Sequence, residues 1–101
     1  MIQTSQTIPE GYKLYQNYPN PFNPVSQIKF DIMPVVNGGR SNVKLIVYNS
    51  AGEEVKRIID RELEAGSYIA EFDRTNFLRG VYFYKFTADD FSETKSMILL
   101  K

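Results

Sequence analysis

Three observations predict an all-β fold, an antiparallel β-sandwich of about seven short strands. Short segments of alternating apolar and polar residues recur, with turn signals about every ten residues. No stretch sustains a helical hydrophobic period. The richest segment, Val81-Tyr82-Phe83-Tyr84-Lys85-Phe86, is built from β-branched and aromatic residues, which suit a pleated, half-buried surface.

The elements follow in order. Met1 to Gly11 is polar, rich in Gln and Thr and without period, and reads as the end of a linker. Tyr18-Pro19-Asn20-Pro21-Phe22-Asn23-Pro24 holds three of the five prolines within six residues. Each proline fixes its own φ, removes a donor and biases the residue before it to extended geometry. The stretch, with Phe22 in its middle, is therefore predicted to be a stiff, extended lead-in that docks on the domain. Ser26 to Met33 alternates, with Ile28, Phe30 and Ile32 on one face, and Pro34 ends it. Asn37-Gly38-Gly39 is loop chemistry.

Val43, Leu45 and Val47 form the next apolar face, and Ile46 and Tyr48 make its reverse partly apolar, as for a strand covered on both sides. Asn49-Ser50-Ala51-Gly52 predicts a hairpin turn with Gly52 at positive φ. The return strand, Glu54 to Ile59, is more charged and so belongs nearer an edge. Ile58 to Ala65 has room for one helical turn at most. Tyr68, Ala70 and Phe72 face one way within Ser67 to Asp73. Gly80 introduces the aromatic strand, Asp89-Asp90 makes a tight turn, and Phe91 to Lys101 closes the chain. No internal repeat is evident.

The 101 residues make one domain, large enough to fold around its own core. The chain has no cysteine, which excludes disulfides, thiolate metal sites and a cysteine nucleophile. It has no histidine either, which excludes Ser-His-Asp and Cys-His machinery and imidazole metal ligands. Twelve basic and twelve acidic residues balance, with no basic block to engage a phosphate backbone, so nucleic acid is not an expected partner. No apolar run approaches the ~20 residues of a membrane span, so no transmembrane segment is expected. Met1 to Glu10 lacks the basic start and apolar core of a signal peptide. A secreted domain would then be a piece of a longer protein whose signal lies elsewhere.

Catalytic and metal candidates are sparse. Lys95 and Ser96 are neighbours on a strand, so their side chains point to opposite faces and cannot share a proton. Asp89 with Asp90, and Asp73 with Asn76, read as turn residues that bond their own backbone rather than as calcium ligands. Tyr82, Tyr84 and Phe86 offer either a stacking platform for sugars or one face of a core. The proline strip reads either as an edge guard or as a motif for a partner's groove. No enzyme activity, cofactor or metal is expected.

The residues also carry a resemblance. Leu14-Tyr15-Gln16-Asn17-Tyr18-Pro19-Asn20-Pro21-Phe22-Asn23-Pro24, Ile28-Lys29-Phe30 and Val43 to Gly52 resemble the opening blocks of the type IX secretion system C-terminal sorting domain, type A. Ala65-Gly66-Ser67-Tyr68, Leu78-Arg79-Gly80-Val81-Tyr82-Phe83-Tyr84 and Phe91 to Lys101 resemble its closing blocks. Two positions depart: Phe72-Asp73-Arg74 stands where the family often has Trp-Asp-Gly, and Ser96 where a second lysine often follows Lys95.

The resemblance implies an Ig-like β-sandwich at 14–101, with 1–13 as a linker remnant from a preceding cargo region. It implies a domain without catalysis that directs cargo from the periplasm across the outer membrane of a Gram-negative bacterium. Its partners would be the type IX translocon and a surface peptidase that cuts in the linker before Leu14. The cargo would be secreted or held at the cell surface, often on a lipopolysaccharide. Mapped onto this chain, the recognition determinants are Gly80, Val81, Tyr82, Tyr84, Thr94, Lys95, Met97, Leu99, Leu100 and Lys101. Pro19, Asn20, Pro21, Phe22, Asn23 and Pro24 form the structural lead-in. The alternative is an Ig-like accessory module that binds glycan or packs against a catalytic domain, which an exposed Tyr82 or Tyr84 would favour.

Overall fold

The computed structural model describes residues 9–21, 25–35, 38–73, 75 and 77–100, together with the backbone of 2–5. Among them are eight strands: β1 (Ile2–Ser5), β2 (Lys13–Leu14), β3 (Val25–Ile32), β4 (Ser41–Tyr48), β5 (Glu54–Leu63), β6 (Gly66–Asp73), β7 (Gly80–Ala88) and β8 (Phe91–Leu99). They form two antiparallel sheets, ordered β1-β6-β3-β2 and β5-β4-β7-β8. The all-β sandwich read from the alternation is the observed fold.

Alternation explains the core. Ile28, Phe30 and Ile32 of β3 and Tyr68, Ala70 and Phe72 of β6 are buried on the first sheet. Val43, Leu45 and Val47 of β4, Tyr82, Tyr84 and Phe86 of β7, and Met97 and Leu99 of β8 are buried on the second. Phe30 joins the layers, with its ring 5.5 Å from Tyr68 in its own sheet and 5.2 Å from Phe86 in the other. Burying one such side chain stabilises the fold by roughly 1.5–3 kcal/mol. Gly52 closes the β4–β5 hairpin at φ 85°, as its sequence predicts.

Four local expectations change. The described prolines of the strip, Pro19 and Pro21, do not lie in an extended segment. The strip joins the antiparallel neighbours β2 and β3, so the chain must reverse there: Pro19 to Pro21 bends, and Tyr18 and Gln27 exchange N–H···O bonds of 2.9 and 2.8 Å. The Tyr18–Pro19 and Asn20–Pro21 peptide bonds are cis. Phe22, Asn23 and Pro24, the rest of the predicted lead-in, lie outside the described residues, as do Asn37, Arg74, Asn76 and Lys101.

The stretch Ile58 to Ala65 holds no helical turn. β5 runs on to Leu63, and its register against β4 shifts twice, which leaves Val55 and Ile58 as extra residues. Such bulges break the period-two pattern by which a strand is read. β5 is an edge strand, as its charge predicts. Within the polar segment read as linker, Ile2–Ser5 pairs with β6 through its backbone, which asks nothing of side-chain alternation. Finally, the outer face of β4 is covered only in part: Ile46 is buried and Tyr48 half-buried, whereas Lys44 stays exposed.

Candidate recognition surface

β7 and β8 pair without a register shift, from Gly80 opposite Leu99 to Ala88 opposite Phe91. Strict alternation divides the sequence-predicted determinants between two faces. Tyr82, Tyr84, Met97 and Leu99 point into the core and are buried. Lys95 shares their side at the half-open rim, where its Nζ lies 3.2 Å from Glu93. Gly80, Val81, Thr94 and Leu100 are exposed.

The buried tyrosines hold the chain at strand entry. Tyr82 Oη donates to the carbonyl of Leu78 at 2.7 Å, four residues upstream, and Tyr68 does the same to Glu64 at 2.8 Å. Each tyrosine follows, by two residues, a glycine that opens its strand: Gly80 at φ 148° and Gly66 at φ 153°. This backbone region is reserved for glycine. The Gly-X-Tyr entry is therefore repeated in the two sheets, a local similarity too short to register as a sequence repeat.

The lead-in is tied to both β7 and β8. Tyr84 Oη accepts the N–H of Asn17 at 2.8 Å and donates to the carbonyl of Tyr15 at 2.9 Å. Asn17, buried, donates through Nδ2 to Ser26 Oγ at 2.9 Å and to the carbonyl of Pro19 at 3.1 Å, and Ser26 Oγ also donates to Pro19. From this anchored turn two side chains reach β8. Gln16 Nε2 donates to the carbonyl of Ser96 at 2.7 Å, and Asn20 Oδ1 accepts the N–H of Ile98 at 3.0 Å. Gln16 and Asn17 were not singled out by composition or motif chemistry, since a polar side chain that caps a strand edge leaves no periodic signal.

On the opposite face, toward solvent, apolar side chains stand uncovered. Val81 and Ile98 are direct cross-strand partners, 45 and 41% exposed. Leu100, two residues beyond Ile98, is 47% exposed, and Phe83, two beyond Val81, is 37% exposed. Phe83 is also the register partner of Tyr48. Together with Lys85 and Thr94 these two rings line a shallow depression of about 240 Å³ beside the β4–β5 turn. Phe83 and Ile98 are absent from the sequence-predicted set. The parity that buries Tyr82 and Tyr84 is the signal that turns them outward.

The acidic candidates behave as turn residues. Asp89 sits at φ 51°, and its Oδ1 accepts the N–H of Asn42 at 3.0 Å while its Oδ2 accepts from Tyr12 at 3.1 Å. The backbone N–H of Asn42 holds the Asp89 carboxyl below its ordinary range. Asp73 Oδ1 accepts from the N–H of Thr75 at 2.8 Å and from its hydroxyl. Among the described residues no acidic cluster could hold a metal ion, and no helix is long and apolar enough to cross a membrane. Tyr82 and Tyr84, whose exposure would favour a sugar platform, are both in the core.

Compared with known protein families, residues 16–100 match the secretion system C-terminal sorting domain. The chain belongs to that family. It is a type IX sorting domain, and the match takes in the Pro19 to Pro24 and Gly80 blocks and the closing block from Thr94 to Leu100. No curated protein matches the chain, and no solved structure does. In this sorting domain the two closing blocks from Leu78 onward fall on the β7–β8 hairpin, with one face in the core and the other toward solvent.

Proposed function

We propose that this sorting domain delivers a preceding cargo region from the periplasm across the outer membrane to the cell surface or medium of a Gram-negative bacterium. It acts as an address label with no catalysis of its own. The body of the domain is 14–101; the segment 1–13 leads to it from the cargo and lends β1 to the first sheet, and a surface peptidase cuts within that segment, before Leu14. The type IX translocon reads the outer face of the β7–β8 hairpin, Val81, Thr94 and Leu100 joined by Phe83 and Ile98, together with the exposed strand entry at Gly80. Tyr82, Tyr84, Met97 and Leu99 serve the signal indirectly, by fixing the pleat that turns those side chains outward.

The observation that carries this reading is the uncovered Val81–Ile98 pair, continued by Leu100 and Phe83. A contiguous exposed apolar stripe on a small domain marks a surface that another protein covers. The test is a reporter enzyme with its own signal peptide, fused ahead of the whole 101-residue chain in a type IX secreting bacterium. The fusion is expected at the surface or in the medium, and the reporter alone in the periplasm. Equal periplasmic retention of both contradicts the reading. Removing Ser96 to Lys101 from the fusion is expected to strand it in the periplasm.

A further inference from the structure

We propose that the free edge of β8 is a strand-acceptor site, that its occupant is the β8 of a second copy of this chain, and that Gln16 holds it closed. β8 is the last strand of its sheet. Gln16 and Asn20 reach the carbonyl of Ser96 and the N–H of Ile98 from outside the sheet. Main-chain direction alternates along an antiparallel strand. Ser92, Thr94, Ser96 and Ile98 therefore all turn their N–H and C=O groups away from β7. Among the described residues no backbone hydrogen bond and no further strand reaches those groups at Ser92 and Thr94. An uncovered row of this kind is a template for another strand.

Charge complementarity favours a second β8 in one register. Set β8 antiparallel to its own copy with Thr94 on the two-fold axis. Thr94 then faces its equivalent, Ser92 faces Ser96, and Glu93 faces Lys95, twice by symmetry. Moving the axis one residue either way sets Glu93 against Glu93 or Lys95 against Lys95, and like charges directly opposite are unfavourable. An isologous contact of this kind closes as a dimer.

The same register identifies the gate. The carbonyl of Ser96 must accept the N–H of Ser92 from the other copy, and Gln16 Nε2 already occupies it at 2.7 Å. Gln16 is itself positioned by a 2.7 Å bond to Asn17 Oδ1, and Asn17 is fixed by Tyr84 and Ser26. The lead-in is thus an intramolecular guard over the strand that carries the closing block.

Sedimentation of the purified 101-residue chain over a concentration series tests this independently of secretion. The wild type is expected as a monomer, and Gln16→Ala as a species whose mass doubles with concentration, at an unchanged cooperative melt. In the Gln16→Ala background, Glu93→Lys is expected to abolish the dimer, and adding Lys95→Glu is expected to restore it. Thr94→Pro, which removes the central outward N–H and spares the β7 ladder, is a second block. A Gln16→Ala protein that stays monomeric to its solubility limit overturns the proposal. So does a dimer indifferent to Glu93→Lys and Thr94→Pro, and a wild-type dimer overturns the gating by Gln16.

Discussion

The phenol of Tyr84 and the backbone N–H of Asn17 are 2.8 Å apart, and through this bond a core side chain of β7 holds the turn that guards β8. The same oxygen donates to Tyr15, so a single hydroxyl satisfies two main-chain groups of the lead-in. Tyr84→Phe keeps the ring and strands both groups. An unpaired buried polar group costs about 1–3 kcal/mol, and the loss is expected within that range in urea denaturation. Tyr82→Phe removes one bond to a partly buried carbonyl and is expected to cost less, near ~1 kcal/mol.

Burial pushes Tyr84 up to about 12, against about 10 for tyrosine in an unfolded chain. A raised folded value means that the stabilisation is complete below the unfolded value and is lost as pH rises toward the folded one. Stability is therefore expected to fall between about pH 10 and 12, with Tyr84 carrying part of that loss. Burial raises Tyr12 and Tyr68 too, and the bond to Asp31 raises Tyr15. Tyr84→Phe should make the alkaline limb shallower without removing it. Chemical denaturation at stepped pH reads this directly.

At the acid end the sign reverses. Asp89 is held low by the N–H of Asn42, so its contribution is present above the unfolded value of about 4 and is lost as pH falls through its folded value. Asp89→Asn keeps the acceptor for Asn42, and asparagine tolerates the left-handed backbone. The variant is expected to fold normally and to lose part of the acid-side slope, measured by thermal melts over that range.

Gly80→Ala meets no atom within 4 Å of the added Cβ, yet the backbone there lies at φ 148°. The cost is conformational, about 1–3 kcal/mol, and a calorimetric melt should show it. A melt equal to wild type would mean that the strand entry relaxes freely.

Much of the fold was legible because burial follows period two. Phe30, Leu45, Tyr84 and Phe86 were each placed on an apolar face, and each lies in the core. What escaped did so for physical reasons. The bulges at Val55 and Ile58 interrupt alternation, so β5 seemed to end early. Ile2–Ser5 pairs through backbone, on which side-chain pattern is silent. The lead-in reverses because β2 and β3 are antiparallel neighbours, a tertiary fact that its prolines do not state. In the candidate surface, family blocks mark positions along the chain and not faces of a sheet. They therefore grouped buried Tyr82, Tyr84, Met97 and Leu99 with exposed Val81 and Leu100 and passed over Phe83 and Ile98.

The central claim is that sorting is read from the exposed face of the β7–β8 hairpin. Its most direct test is the surface-to-periplasm ratio of a cargo fusion carrying Val81→Ser, Ile98→Ser and Leu100→Ser, alongside the melt of the purified variant domain. These side chains are 45, 41 and 47% exposed, so the fold is expected to survive their replacement. The prediction is a cooperative melt close to wild type with the fusion held in the periplasm. A folded triple variant delivered to the surface as efficiently as wild type would contradict it.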